Sequence, residues 1–368
     1  NLDTFFKLLL KEDFISVICR IKKMTFDELL NIFFKDYRLR SIFLLLLGVG
    51  VSATPSRVSA ISAILFYKQF ILDPGYYPKG GMQQVPNALG QQLQANKGEI
   101  LSNKRVVRIL ITSGKANGVM LNDGTKIYSK LVISNADATQ TFTKLLATHP
   151  TPEARRLRKM RSSSSAVILF LGVTLKLTHH LKNQSCIWIS DTYDIDAQFT
   201  KINNIYKKHR LPEYTLCYFP GLHDPQLRLN RNSIQIFTNA PYTSKSFWET
   251  NKHIYEDLLY KKILKILPAL QQKNIVTKFG ATPHTFSRYT NNNHGALYGW
   301  ESNAARINSA SMPQECSIPN LILTGHWCTS GFGNVGGIPG VAGLGRNAAR
   351  IAYSKLVKKW PWSYFIIK

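Results

Sequence analysis

Hydrophobic and polar positions follow two different periods along this chain, and the change between them divides it. From the start to about residue 72, apolar residues recur three and four apart, the helical spacing. In TFDELLNIFFKDYRLRSIFLLLL, Thr25 stands three residues ahead of Glu28. In that arrangement hydroxyl and carboxylate cap each other's backbone N–H, so a helix is expected to start there. Another is expected from Pro55, because a first helical turn tolerates the missing N–H of proline. The stretch GYYPKGGMQQVPNALGQQLQANKGEI predicts a turn with paired glycines, Gly80 and Gly81, followed by an amphipathic helix.

After Glu99 the pattern alternates as strands do. SGKANG and NDG are turn signals, so EILSNKRVVRILITSGKANGVMLNDGTKI predicts a small antiparallel meander. The apolar run KLVIS is expected to close it, with Asn135 to Ala138 at that strand's C-terminal end. Between about 150 and 300, SAVILFLGVTL, YTLCYFPG and SIQIFTNAPY read as strands and KSFWETNKHIYEDLLYKKILKILPAL as a helix. NIVTKFGATPHTFSRYTNNNHGALYGWE reads as a strand and then an aromatic-rich irregular loop, with Phe286, Tyr289, Leu297, Tyr298 and Trp300 expected in the core. NLILT reads as a buried strand leading into the glycine-rich stretch TGHWCTSGFGNVGGIPGVAGLGRNAARI. Pro339 suits the first turn of a helix that runs on towards Lys355, Lys358 and Lys359. A strand, a glycine loop and a helix N-terminus in that order aim free N–H groups at an electron-rich or anionic group. No internal repeat is present.

Two glycine patterns in the chain match a dinucleotide fingerprint only formally. Gly331, Gly333 and Gly336 fit G-x-G-x-x-G, but an acidic residue is expected about 20 positions on, and Glu315 is the last acid in the sequence. Gly48, Gly50 and Ala53 fit G-x-G-x-x-A, and the simpler reading of Gly48 and Gly50 is a bend between two helices.

Composition bounds the class. The 368 residues are 44% hydrophobic and 18% charged, a globular balance long enough for two or three cores. Lys and Arg total 47 against 21 Asp and Glu, a formal charge of +26, which fits nucleic acid, an anionic membrane surface or no specific partner. The densest basic run, Arg155 to Arg161, reads as a solvated helix face leading into a strand. Neither zinc-ligand spacing nor a nucleic-acid recognition pattern occurs, so no metal site and no nucleic-acid partner are expected. The five cysteines, Cys19, Cys186, Cys217, Cys316 and Cys328, are scattered, odd in number and without C-x-x-C, as for small apolar groups in a reducing compartment. No signal peptide is visible, and SIFLLLLGVGVSA is shorter than the roughly 20 apolar residues of a spanning helix.

The order of segments resembles one flavoprotein family. YYPKGGMQQVPNAL, the meander, KLVISNADA, HDPQLRLN with SIQIFTNAPY, ATPHTFSRYTNNNHGALYGW and NLILTGHW…GGIPGV…GRNAA follow one another as in the phytoene desaturase, carotenoid isomerase and retinol saturase family, which has an amine-oxidase type of FAD domain. The resemblance covers nearly the whole chain and implies a mixed α/β fold. Part of a two-dinucleotide-binding FAD domain would stand beside a mixed-sheet and helical substrate domain. It implies a helical, membrane-facing part over 1–75, FAD-domain segments over 76–150 and 301–368, and a substrate domain over 151–300. FAD is the implied cofactor. Gly336, Gly337, Ile338, Pro339 and Gly340 would lie against the isoalloxazine, with Gly80 and Gly81 near the ring. Val106 would meet the adenine side through its backbone, and Asn135, Ala136 and Gly325 would lie at strand ends of the FAD domain.

The implied reaction is hydride chemistry on a long apolar polyene or isoprenoid, as in a carotenoid desaturase, isomerase or saturase. A basic protein of this kind would be cytoplasmic or organellar and would rest peripherally on an anionic membrane without a spanning helix. Two departures from the family matter. The opening strand, glycine turn and ribose-binding acid are missing, so a chain truncated at its N-terminus, weak in FAD binding and possessing partly bare strands, is expected. Where relatives carry an acid after the glycine at position 325, this chain has His326, a candidate polar or catalytic contact. Two rival readings are a flavin-dependent amine oxidase-like enzyme and a non-catalytic, basic nucleic-acid-binding protein.

Overall fold

In a computed structural model, residues 21, 23–51, 54–72, 76–182, 184–228, 232–301, 312–328 and 337–357 are described. Three helices open it: α1 (Phe26–Phe33), α2 (Tyr37–Val51) and α3 (Ala60–Tyr67). Both capping-box bonds at the start of α1 form, Glu28 N–H to Thr25 Oγ1 (3.2 Å) and Thr25 N–H to Glu28 Oε2 (2.8 Å). Phe26, Leu30, Leu47, Val58 and Tyr67 share a core here. Two expectations are corrected. Pro55 opens a 3₁₀ turn, whereas α3 begins after Ser59, whose side chain caps it. Gly48 and Gly50 lie within α2 and mark no bend between helices.

Helix α4 (Gln84–Ala95) follows the paired glycines as expected, but none of its residues is buried, and Leu89 and Leu93 face outwards. Strands β1 (Val106–Thr112), β2 (Lys115–Leu121) and β3 (Lys126–Tyr128) form the predicted antiparallel meander. Strand β4 (Val132–Ser134) does not close that sheet. It pairs in parallel with β10 (Leu321–Leu323), so segments from opposite parts of the chain build a separate two-stranded sheet. The basic run begins on the short helix α5 (Pro152–Leu157), and Arg155, Arg156, Arg158, Lys159 and Arg161 are exposed.

The larger sheet is antiparallel, in the order β6-β7-β8-β5-β9, made of β5 (Ser165–Val173), β6 (Cys186–Ser190), β7 (Tyr214–Tyr218), β8 (Asn232–Ala240) and β9 (Ile275–Ala281). On β5, Val167, Leu169, Leu171 and Val173 alternate onto the buried face, as period two requires. They share a core with Trp248, Tyr255, Leu259 and Ile263, one stripe of α6 (Lys245–Ile266). On the other face Phe170 stacks on Phe279, its cross-strand partner, with ring centres 4.9 Å apart. After β9 the chain forms α7 (Pro283–Thr290), capped by Thr282, where the sequence reading placed an irregular loop. Trp300 is buried as expected, whereas Tyr289 is 78% exposed.

The last helix, α8 (Gly337–Val357), lies on the parallel pair. Ala348 and Ala352 cover Ile322 of β10, and Leu344 joins the core on the other side with Leu321, Leu323 and Trp327. β10 is thus buried on both faces, contrary to the expectation of a bare strand, whereas Ile133 of β4 is half exposed. Cys217 and Cys328 are buried as apolar groups, with their thiols pushed up to about 12 by burial, and Cys19 lies outside the described residues.

Candidate functional site

The two parallel strands end at one level. Thr324 N–H, just beyond β10, donates to the carbonyl of Ser134, the last residue of β4 (2.9 Å). Asn135 and Gly325 follow and touch. Gly325 has φ +81°, a left-handed conformation that favours glycine, and a Cβ there would run into the side-chain Oδ1 of Asn135. Behind them Ser134 and Thr141 share a buried hydroxyl–hydroxyl bond (2.9 Å). The hydroxyl of Thr324 is buried with no partner among the described residues.

Asp137, two residues past Asn135, is almost wholly buried. Its Oδ1 accepts from Thr139 N–H (2.6 Å) and Gln140 N–H (3.1 Å), capping the turn that follows. Its Oδ2 accepts from Asn293 N–H (2.6 Å) and so pins the loop after α7 to the end of β4. Burial raises the Asp137 pKa above the ordinary carboxylate value, while the three N–H donors pull the other way.

That loop also meets the residues after Gly325. Asn292 bonds to Trp327 and His326, and Trp300 Nε1–H donates to the Trp327 carbonyl (2.9 Å). The Trp300 and Trp327 rings meet edge to face, 4.7 Å between centres. Gly299, at φ +76°, lies where a side chain would strike the His326 carbonyl. His326 is therefore set in a closely packed wall, and burial lowers its pKa. Gln314 ties β10 to α8, donating to the carbonyls of Leu323 (3.1 Å) and Leu344 (2.9 Å) and accepting from Asn347 (2.6 Å).

The remaining candidates stand on other elements. Gly80 (φ +82°) and Gly81 (φ +95°) form a left-handed turn held by Asp224, whose Oδ2 accepts from Gly80 N–H (2.6 Å). Tyr77, just before the pair, stacks on His223 (5.4 Å), and Leu227 stands against Gly81. Val106 opens β1, paired with Leu121. Gly337, Ile338, Pro339 and Gly340 make the first turn of α8, with Gly340 buried and Ile338 exposed. Gly331, Gly333 and Gly336 lie outside the described residues. Ala136 sits between Asn135 and Asp137 at the end of β4. A cavity of about 590 Å³ along α8, bordered by Gln314, Arg346 and Arg350, takes in none of these candidates.

The sequence reading missed Asp137, Asp224, Asn292 and Trp327. Asp137 had a signal, since an Asp between a strand and a helical turn is a common N-cap. The others have partners far away in the chain, which no local pattern records. Among the described residues, no group of three or more His, Cys, Asp and Glu side chains could hold a metal. The arrangement offers close-packed glycine backbone, a helix N-terminus and a histidine of lowered basicity.

A family model for flavin-containing amine oxidoreductases matches residues 21–352. Prolycopene isomerase 2, chloroplastic, from an Oncidium hybrid cultivar is 26% identical over 289 residues, 76% of this chain and 47% of that protein. All-trans-retinol 13,14-reductase from Rattus norvegicus is 26% identical over 342 residues, 84% of this chain and 55% of that protein. The chain thus spans about half the length of the curated relatives it matches. Among solved structures, an oxidoreductase from Methanosarcina mazei superposes with a TM-score of 0.62 at 16% identity, covering 92% of this chain and 71% of the other, which shows a shared fold.

Proposed function

The chain belongs to the flavin-containing amine oxidoreductase family, and from that premise we propose that its protein is an FAD-dependent oxidoreductase acting on a long apolar polyene or isoprenoid. The observation that carries the reading is the meeting of Asn135 and Gly325 at the shared C-terminal edge of β4 and β10, with α8 next in the chain. Ligands of open α/β sheets gather at that edge. The residues fit such a cofactor: glycine backbone admits close approach at position 325, and the buried Thr324 hydroxyl lacks a partner among the described residues.

In this reading the first turn of α8, Gly337 to Gly340, lies against the isoalloxazine, and its positive helix end favours negative charge there. Gly325 and His326 face the ribityl chain, with Asn135 and Ala136 at the adjoining strand end. Gly80 and Gly81 approach the ring, and Asp224 holds their turn in place. Val106 serves the adenine side through its backbone. Segments 76–150 and 301–368 make up the cofactor side, 151–300 the substrate side and 1–75 the membrane-facing part. Bound FAD would accept or deliver hydride, and the protein would orient the polyene and exclude water. The names of the relatives, an isomerase of prolycopene and a reductase of retinol, support a polyene over a small amine. The basic surface supports peripheral attachment to anionic membrane in the cytoplasm or an organelle.

The test uses the protein as its own cells produce it. Loaded with FAD, oxidised or reduced, it is mixed without oxygen with a carotenoid in liposomes or with putrescine. A changed carotenoid absorption spectrum, with putrescine leaving the flavin oxidised, is the expected result. Bleaching by putrescine with an unchanged carotenoid would overturn the polyene reading.

A further inference from the structure

Asn292 sits between three groups whose hydrogen-bonding roles constrain one another. Its Nδ2 donates to the carbonyl of Ala296 (2.9 Å), its Oδ1 accepts from the Trp327 indole N–H (3.3 Å), and Nδ2 also faces His326 Nε2 (3.4 Å). A backbone carbonyl only accepts and an indole N–H only donates. Those two partners fix which end of the amide is nitrogen, an assignment that must otherwise be inferred. The group turned to His326 is therefore an NH₂, and Nε2 of the imidazole has to accept from it.

We infer that Asn292 is a positioning residue that holds His326 in its neutral Nδ1–H tautomer, with Nε2 occupied as an acceptor and Nδ1–H kept as a fixed donor. The ring's surroundings agree. The Cδ2 edge beside Nε2 is turned to Gly299, where a side chain would come within 3.3 Å of Cδ2. Trp327 packs edge to face on the ring (5.2 Å). None of these neighbours is charged, and burial alone lowers the histidine's basicity. The one carboxylate of the network, Asp137, reaches it only through the backbone N–H of Asn293. Among the described residues nothing bonds to Nδ1. Protonating Nε2 would set an N–H against the amide N–H of Asn292, so the charged form is disfavoured twice. His326 is thereby a hydrogen-bond donor to an acceptor atom, a hydroxyl or carbonyl oxygen, and is no proton shuttle through Nε2. Only the identity of that acceptor, a cofactor or substrate oxygen, rests on the flavin reading.

The tautomer is measured on the full chain with ¹⁵N-labelled histidine, by long-range proton–nitrogen correlation across a pH series. The His326 signals are assigned by their loss in His326→Asn. The wild type should show protonated Nδ1 and bare Nε2, titrating below the ordinary histidine value of about 6.5. In Asn292→Asp a carboxylate oxygen replaces the NH₂, so the proton should move to Nε2 and the midpoint should rise. Wild-type Nε2–H, or a midpoint at or above the ordinary value, overturns the inference without needing any variant to fold. An Asn292→Asp protein that folds with the wild-type pattern also overturns it. The measurement needs no FAD, so its failure and that of the flavin reading are separate results.

Discussion

Gly325 has a left-handed backbone, and a Cβ there would meet the Asn135 side chain. Gly325→Ala should therefore lower unfolding stability by roughly 1–3 kcal/mol, the usual cost of a strained backbone position. Chemical denaturation measures this, and an unchanged midpoint would mean that the strand ends are looser than described. His326 adds a pH signature. Its folded-state pKa lies below the ordinary value, so its contribution is complete above about pH 6.5 and is lost as pH falls through the folded value. The stability of the wild type relative to His326→Asn should shrink on acidification below that pH, and a constant difference in thermal midpoint would contradict it. At this scale the sequence was readable where a residue's neighbours are also its contacts. The Thr25 cap lies three residues from Glu28, whereas Gly80 and Asp224 meet only in the folded chain.

Elements with long, regular periods were legible, among them α1, β5, β8, α6 and α8, and the short β10 was legible from its unbroken apolar run after Pro319. Helix α7 was not, because the aromatic residues and asparagines of TPHTFSRYTNNNHG suggest irregular chain, although Thr282 before Pro283 is itself a helix-start signal. Strand β6 was missed because CIWIS is short and carries no clear alternation. The pairing of β4 was misjudged because a parallel partner is non-local, while the turn signals nearby all favour the meander. Two variants probe the elements. Thr25→Ala removes the side-chain bond of the α1 capping box, Glu28 N–H to Thr25 Oγ1, while the backbone N–H of residue 25 can still donate to Glu28, and it should cost about 0.5–2 kcal/mol. Leu169→Ala empties the middle of the large sheet's core and should cost about 2–5 kcal/mol. Thermal or denaturant unfolding measures each, and a Leu169→Ala protein as stable as the wild type would refute the packing of β5 beneath α6.

The molecule as a whole carries +26 in formal charge, and Ile32, Tyr37 and Ile42 are exposed on its helical part. No helix among the described residues is long and apolar enough to cross a membrane. The protein should sediment with anionic liposomes more than with neutral ones, and salt should weaken the binding. Equal binding to both, or none, would leave the charge without that role. The central claim, that the edge shared by β4, β10 and α8 is a flavin site, is tested most directly by the visible absorption of the protein. The protein as its own cells produce it, purified after addition of FAD, should show the flavin bands. Gly340→Val, which puts a branched side chain at the one buried position of the first turn of α8, should lose them while the protein stays folded. A colourless wild-type protein, or a Gly340→Val protein that keeps its flavin undiminished, would contradict the account.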